Sequence, residues 1–123
     1  MRALVAAAAR VAPEVTDEAG LAAAYHAGSE PVRALAGSAA GHIGRAIAGL
    51  IGALNVRHVL IIGPVAQLGG EWLEQVRAAA RAASLPLLAR DTLVDFGHVS
   101  DDIVVLGASA MVMDAELGLS LAR

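Results

Sequence analysis

The chain has 123 residues, which fits one domain or part of one, and it contains no cysteine. Disulfides, thiol nucleophiles and cysteine-based zinc sites are therefore excluded, as is usual for a cytoplasmic protein. The formal net charge is −3 and the basic residues are scattered arginines, so nucleic acid is not an expected partner.

Hydrophobic residues make up 57% of the chain, but many of them are alanines. The longest charge-free stretches, such as residues 46–56 and 58–70, fall short of the roughly 18 apolar residues that a bilayer span requires. We therefore predict that no segment spans a membrane.

The first two elements are predicted to be helices. Residues 2–12 form an alanine-rich helix that ends near Pro13. Thr16 is predicted to cap the second helix, because two acidic residues follow it in the first turn, where carboxylates complement the helix dipole. That helix runs to about His26 and stops at Gly28, a favoured residue beyond a helix end.

The longest predicted helix covers residues 31–54 and starts at Pro31, which suits a first turn. Its predicted apolar face consists of Ile43, Ile47, Leu50, Ile51 and Leu54. Five glycines lie within it: Gly37, Gly41, Gly44, Gly49 and Gly52. Each glycine costs about 1 kcal/mol against alanine in a helix interior, so we expect close packing against a sheet at this helix.

Two strands are predicted on either side of a helix over residues 70–83. Residues 57–62 form the better strand, β-branched and uncharged after His58, and we expect it to be buried on both faces. Residues 85–89 form a short second strand, and an extended piece is expected at 92–94.

The last element is predicted to be a helix over residues 101–117, capped by Ser100 and stopped at Gly118. Its methionines, Met111 and Met113, are expected in the core. The predicted fold is thus α/β, in the order α-α-β-α-β-α with two parallel strands and helices packed around them.

Two parallel strands rarely make a stable sheet alone. The strand at 57–62 should have neighbours on both edges, yet only one further strand is predicted. We therefore expect a homodimer, with one geometry joining the Arg57–Ile62 strands edge to edge about a two-fold axis.

The order of several short motifs resembles the carboxyl-terminal region of ROK proteins (repressor, open reading frame, kinase). Asn55–Gly63 (NVRHVLIIG), a glycine-led helix and Leu106–Ala110 (LGASA) follow the order of that family. Upstream, Ala24–Ala34 is similar to its A-x-x-G-D-x-x-A motif, with Ser29 in place of aspartate, and Ile43–Ile47 is similar to L-G-x-A-I.

The resemblance covers about residues 16–120 and implies a partial ribonuclease H-like lobe of the actin-like ATPase fold, so that residues 1–123 form a single domain from the carboxyl-terminal part of such a protein. The family's phosphate-binding D-x-G-x-T hairpin, catalytic aspartate, zinc motif and helix-turn-helix lie upstream of the matching region. The resemblance therefore implies no catalytic residues here, and a sugar ligand only in the complete protein.

A remnant of the nucleotide-side loop is predicted at Gly63, Pro64 and Gly70. The family usually has Gly-Gly where this chain has Gly63-Pro64, and proline lacks the N–H that a nucleotide would approach. This difference favours a regulator over a kinase.

The four histidines, His26, His42, His58 and His98, show no metal-ligand spacing, and Gly69-Gly70 is not followed by the lysine of a phosphate loop. We therefore predict no metal and no cofactor. The leading hypothesis is the lobe of a sugar-responsive ROK transcriptional regulator. The alternatives are the corresponding lobe of a ROK sugar kinase and a stand-alone dimeric interaction domain.

Overall fold

The computed structural model describes residues 1–85, 92–97 and 103–117, which form a mainly helical α/β structure with one small sheet. Its elements in chain order are α1 (Arg2–Ala8), α2 (Glu18–His26), α3 (Glu30–Leu54), β1 (His58–Ile61), a 3-10 helix (Pro64–Leu68), α4 (Gly69–Ala83), β2 (Leu93–Phe96) and α5 (Ile103–Leu117). Three helices precede β1, as the predicted residue ranges require and one more than the order α-α-β-α-β-α contains. The two parallel strands, separated by a helix, are confirmed.

The first helix is shorter than the predicted range 2–12, since α1 covers only Arg2–Ala8. Beyond it the amides of Arg10 and Val11 bond to carbonyls only three residues back, at 3.3 and 3.0 Å. These tighter turns lead the chain to Pro13, which has no amide hydrogen to continue a helix.

The two ends of α2 are fixed by local hydrogen bonds. At its start the carboxylate of Asp17 accepts a bond from the amide of Gly20 at 2.7 Å, so the predicted Thr16 cap is wrong by one residue. At its end Gly28 has φ +83°, and the amide of Ser29 bonds to the carbonyl of Ala24 at 3.0 Å. This Schellman motif confirms the predicted stop at Gly28.

We expect the Asp17→Ala variant to lose about 1 kcal/mol of unfolding free energy, because the amide of Gly20 loses its acceptor. Thr16→Ala is the matched control and should change stability by less than about 0.5 kcal/mol. Urea denaturation followed by circular dichroism measures both, and a larger loss in Thr16→Ala than in Asp17→Ala would show that Thr16 is the cap.

The buried face of α3 differs from the predicted one. Ile47 and Ile51 are buried as expected, but Leu50 and Leu54 are exposed, Leu54 to 66%. The buried positions are Val32, Ala36, Ala40, Gly44, Ile47, Ala48 and Ile51. Small side chains therefore dominate the contact face, and the main packing partner of α3 is α4.

The close approach that the glycines of α3 indicate is made by a helix rather than by a sheet. A Cβ atom built on Gly44 would lie 2.5 Å from the Ala79 Cβ and 2.7 Å from the Val76 carbonyl oxygen of α4. Gly49 and Gly52, in contrast, have no heavy atom near that position. Only part of the glycine content of α3 is thus required by packing.

By length and composition α3 could cross a membrane, and it is the one such helix in the described part of the chain. The prediction that no segment spans a membrane stays a prediction. The most apolar window of α3 has a mean hydropathy of 1.2 and is 33% buried. A helix at the centre of a helical core requires the same composition.

The sheet consists of β1 and β2 in parallel, with His58 opposite Leu93 and Ile61 opposite Phe96. β2 overlaps the extended piece that the sequence predicts at 92–94 and continues to Phe96. The strand predicted at 85–89 lies outside the described residues except for Leu85, which belongs to no strand.

The prediction that β1 is buried on both faces is wrong. Val59 and Ile61 are half-buried against the core, whereas His58 and Leu60 are exposed, so exposure alternates along the strand. The outward positions are nevertheless largely apolar, and Leu60 is 63% exposed. A strand with one wet face normally carries polar residues there.

The last helix, α5, has a long exposed section. All residues from 107 to 113 are exposed, which leaves no face of these two turns buried. Met111 is 75% and Met113 54% exposed, so the expected core position of these methionines is wrong. The turns contain no charged residue, and they form a second apolar surface.

Candidate functional site

The predicted loop remnant lies at the carboxyl end of β1, where ligands bind in open α/β sheets. Gly63 has φ +103°, a conformation that favours glycine, and Pro64 begins the 3-10 helix. Gly70 lies in the first turn of α4, beyond that helix. All three residues are exposed, and the 3-10 helix separates Gly63 from Gly70.

This loop is hydrogen-bonded to the end of α2. The Nε2 atom of His26 lies 2.8 Å from the carbonyl oxygen of Gln67. Gly69 has φ +79°, and a Cβ atom there would lie 3.5 Å from the His26 ring. The path of the chain into α4 is therefore set by contacts with the end of α2.

The start of α4 already holds a charge pair. The guanidinium of Arg33 donates to the carboxylate of Glu71 and lies 5.3 Å from the centre of the Tyr25 ring. Glu71 stands in the first turn of α4, where a carboxylate already complements the helix dipole. An anionic ligand at this helix end would meet that negative charge.

Tyr25 itself is 2% exposed, and its hydroxyl has no hydrogen-bond partner in the described part of the chain. Its ring packs edge to face with His26, at 5.6 Å between ring centres. The tyrosine thus serves as a packing residue between α2 and α3.

The free edge of β2 is covered by an arginine. Because the amide of Leu93 bonds to the Arg57 carbonyl at 2.8 Å, the backbone of the next residue, Val94, faces away from β1. The Val94 carbonyl accepts a bond from the Nε atom of Arg77 at 2.7 Å. Arg77 also lies 3.5 Å from the Asp95 carboxylate, so the edge is both hydrogen-bonded and charged.

Beside this edge lies a groove of about 470 Å³ between α3, α4 and β2. Glu74, Arg77 and Arg81 contribute its charges, and Glu74 pairs with both arginines. The two guanidinium groups thus share one carboxylate within the groove, and Arg77 has Asp95 as a second partner outside it. Sequence reasoning missed the role of Arg77, because its partner Val94 is distant along the chain.

The edge of β1 and the adjoining sheet face differ from this arrangement. We define the outer face as the exposed residues that point away from the helices: His58, Leu60 and Ile62 from the β1 segment, with Leu93 and Asp95 from β2. In the part of the chain that the structure describes, no residue hydrogen-bonds to the β1 edge and no element covers this face.

The residues of the outer face include one imidazole and one carboxylate among three large aliphatic side chains. Within the described ranges, no group of three histidine, aspartate or glutamate side chains is placed to hold a metal ion. His98 lies outside those ranges. The surface is suited to contact with another apolar or strand-forming surface.

The chain matches no family model, no curated protein and no solved structure. The resemblance to ROK proteins therefore depends on the motifs quoted above. The geometry of the sheet and of the 63–70 loop is the independent basis for a functional hypothesis.

Proposed function

We propose that the chain is the lobe of a sugar-responsive ROK-type transcriptional regulator that acts by association and performs no catalysis itself. The observation that carries this proposal is that, among the described residues, no element covers the apolar outer face of the sheet and no strand pairs with the β1 edge. Parallel sheets in α/β proteins normally have both faces covered. A lobe of this kind needs a neighbour to complete its sheet.

The exposure of the aliphatic side chains supports association. Leu60 and Leu93 are each 63% exposed on the same face of the sheet, and Ile62 is 56% exposed. Contiguous apolar surface on a folded domain is typical of an interface with another protein. In a regulator, contacts of this type couple ligand binding in one part of the protein to the arrangement of another.

The loop at the end of β1 supports a regulator over a kinase. Pro64 has no amide hydrogen to donate to a phosphate, and it starts a 3-10 helix directly after Gly63. The nearby Glu71 already neutralises Arg33. A nucleotide would find neither a free backbone donor at residue 64 nor an unpaired cation in Arg33.

One observation favours the alternative, the corresponding lobe of a ROK sugar kinase. A Cβ atom built on Gly63 or on Gly70 would meet no heavy atom within 4 Å among the described residues, so a ligand could approach the backbone at both glycines. In the kinase these glycines would border the adenosine. The two proposals share the fold and differ in nucleotide binding.

Titration of the chain with ATP by isothermal calorimetry tests the difference, with a Gly63→Val variant as the control for specific binding. The regulator proposal expects no saturable heat in either protein. Saturable binding to the parent chain that the variant loses would favour the kinase lobe.

The coding sequence upstream of Met1 provides an independent test. A helix-turn-helix segment supports the regulator, whereas a D-x-G-x-T hairpin with a zinc motif supports the kinase. A coding sequence that starts at Met1 would contradict both and leave the stand-alone interaction domain.

A further inference from the structure

The two edges of the sheet are treated differently by this sequence. The β2 edge is covered by Arg77, whose charge and hydrogen bond to Val94 prevent another strand from pairing there. Among the residues that the structure describes, none hydrogen-bonds to the β1 edge, and His58 is the only titratable residue of β1. Natural proteins usually cover or charge a free edge.

The backbone groups on the bare edge can be identified from the β1–β2 ladder. The amides of Leu93 and Gly97 bond to the carbonyls of Arg57 and Ile61, at 2.8 and 3.0 Å. Alternate residues of a strand direct their backbone groups to opposite edges. The N–H and C=O groups of Leu60 and its neighbours two residues away therefore point to the bare edge.

We propose that the β1 edge pairs with β1 of a second copy of this chain, antiparallel and about a two-fold axis at Leu60. Leu60 then lies opposite the partner's Leu60, and His58 lies opposite the partner's Ile62. Each of these positions has its backbone groups directed outward, as an antiparallel ladder requires. The result is a four-stranded sheet in the order β2-β1-β1-β2, with the two covered β2 edges outermost.

A second copy fits this edge because the pairing is self-complementary. The two-fold register places no two like charges opposite each other, since only His58 is titratable among the paired outward residues and it faces an isoleucine. The Asp95 carboxylates lie one strand away from β1 on each side. The outer faces then join into one apolar surface across the axis. The inference rests on the proposed associating role but not on the ROK assignment.

Charged side chains introduced at position 60, on the two-fold axis, test the register of the pairing. In Leu60→Lys the two lysines face each other across the axis, and we expect at least a tenfold weaker dimer by light scattering and sedimentation. Leu60→Glu should behave in the same way. An equimolar mixture of the two variants should restore a dimer that contains one copy of each, because lysine then faces glutamate.

Leu93→Lys is the matched control, because Leu93 has the same side chain, the same exposure and the same face but lies on β2. Its dimer should be weakened by less than threefold. The circular dichroism spectrum of Leu60→Lys should match that of the parent chain. Residue 60 is exposed, and in the same chain it lies opposite Asp95, a carboxylate that tolerates a lysine neighbour.

Cross-linking keeps the test decisive if a charged variant fails to fold. The chain has no cysteine, so Leu60→Cys introduces a single thiol. Directly opposed residues that exchange both hydrogen bonds in an antiparallel pair have Cα atoms about 5.5 Å apart, within disulfide range. Mild oxidation should link Leu60→Cys into dimers and leave Leu93→Cys largely monomeric.

Several results would overturn the proposal. A parent chain that stays monomeric contradicts both this interface and the associating role. A dimer that tolerates Leu60→Lys but is lost in Val112→Glu overturns the β1 interface alone and assigns association to α5. Equal cross-linking of Leu60→Cys and Leu93→Cys also contradicts the register.

Discussion

Replacing Trp72 with alanine is expected to lower the free energy of unfolding by about 3–5 kcal/mol. Trp72 is fully buried on α4, and its ring stacks on Phe96 of β2 with 6.3 Å between ring centres. Its indole nitrogen donates to the carbonyl of Ala36 in α3 at 2.8 Å. One side chain thus joins α3, α4 and the sheet, and its loss leaves a cavity at their junction.

Urea denaturation followed by circular dichroism measures this loss, since the only tryptophan fluorophore disappears in the variant. Trp72→Phe keeps much of the ring and removes the hydrogen bond, so about 1–2 kcal/mol should be lost. Leu54→Ala is the surface control and should change stability by less than about 0.5 kcal/mol. A Trp72→Ala variant as stable as this control would show that the junction does not hold the sheet.

The sequence predicts most element ends because they depend on local chemistry. Gly28 ends α2 because glycine readily adopts the left-handed conformation that a Schellman motif requires. Pro31 marks the start of α3 because proline suits a first turn, and the β-branched residues Val59 and Ile61 mark β1. The cap of α2 is harder to place because Thr16 and Asp17 are adjacent and both are good capping residues.

The contact face of α3 could not be predicted from hydropathy alone. Leucine outranks alanine and glycine as an apolar residue, so hydropathy places Leu50 and Leu54 in the core. The partner of α3 is another helix at close range, and small residues allow that approach. The identity of the neighbour, which decides the face, is not encoded in the periodicity of α3.

In the candidate site, too, the features that depend on local sequence are predictable and those that depend on a distant neighbour are not. The strand is predictable from its apolar residues, and so is its second edge, which no strand in the described part of the chain pairs with. The coverage of the β2 edge by Arg77 could not be predicted. It requires Arg77 to reach across the groove to Val94, and this contact exists only once α4 lies beside β2.

The glycines of α3 allow one chemical change to be tested in two environments. Gly44→Ala is expected to destabilise the chain by about 1–3 kcal/mol, because the new methyl group would lie 2.5 Å from the Ala79 Cβ and 2.8 Å from the Ala80 amide nitrogen. The second contact is with backbone, so α3 and α4 must move apart. Overpacking therefore exceeds the gain of about 1 kcal/mol that alanine brings to a helix interior.

Gly49→Ala is the matched control on the same helix, with open space at its Cβ position. There the propensity gain acts alone, and we expect stabilisation of about 0.5–1 kcal/mol. Thermal and urea denaturation of the two variants should thus shift in opposite directions. Stabilisation of both would mean that α3 and α4 do not approach closely at Gly44, and the small residues of the α3 face would then need another explanation.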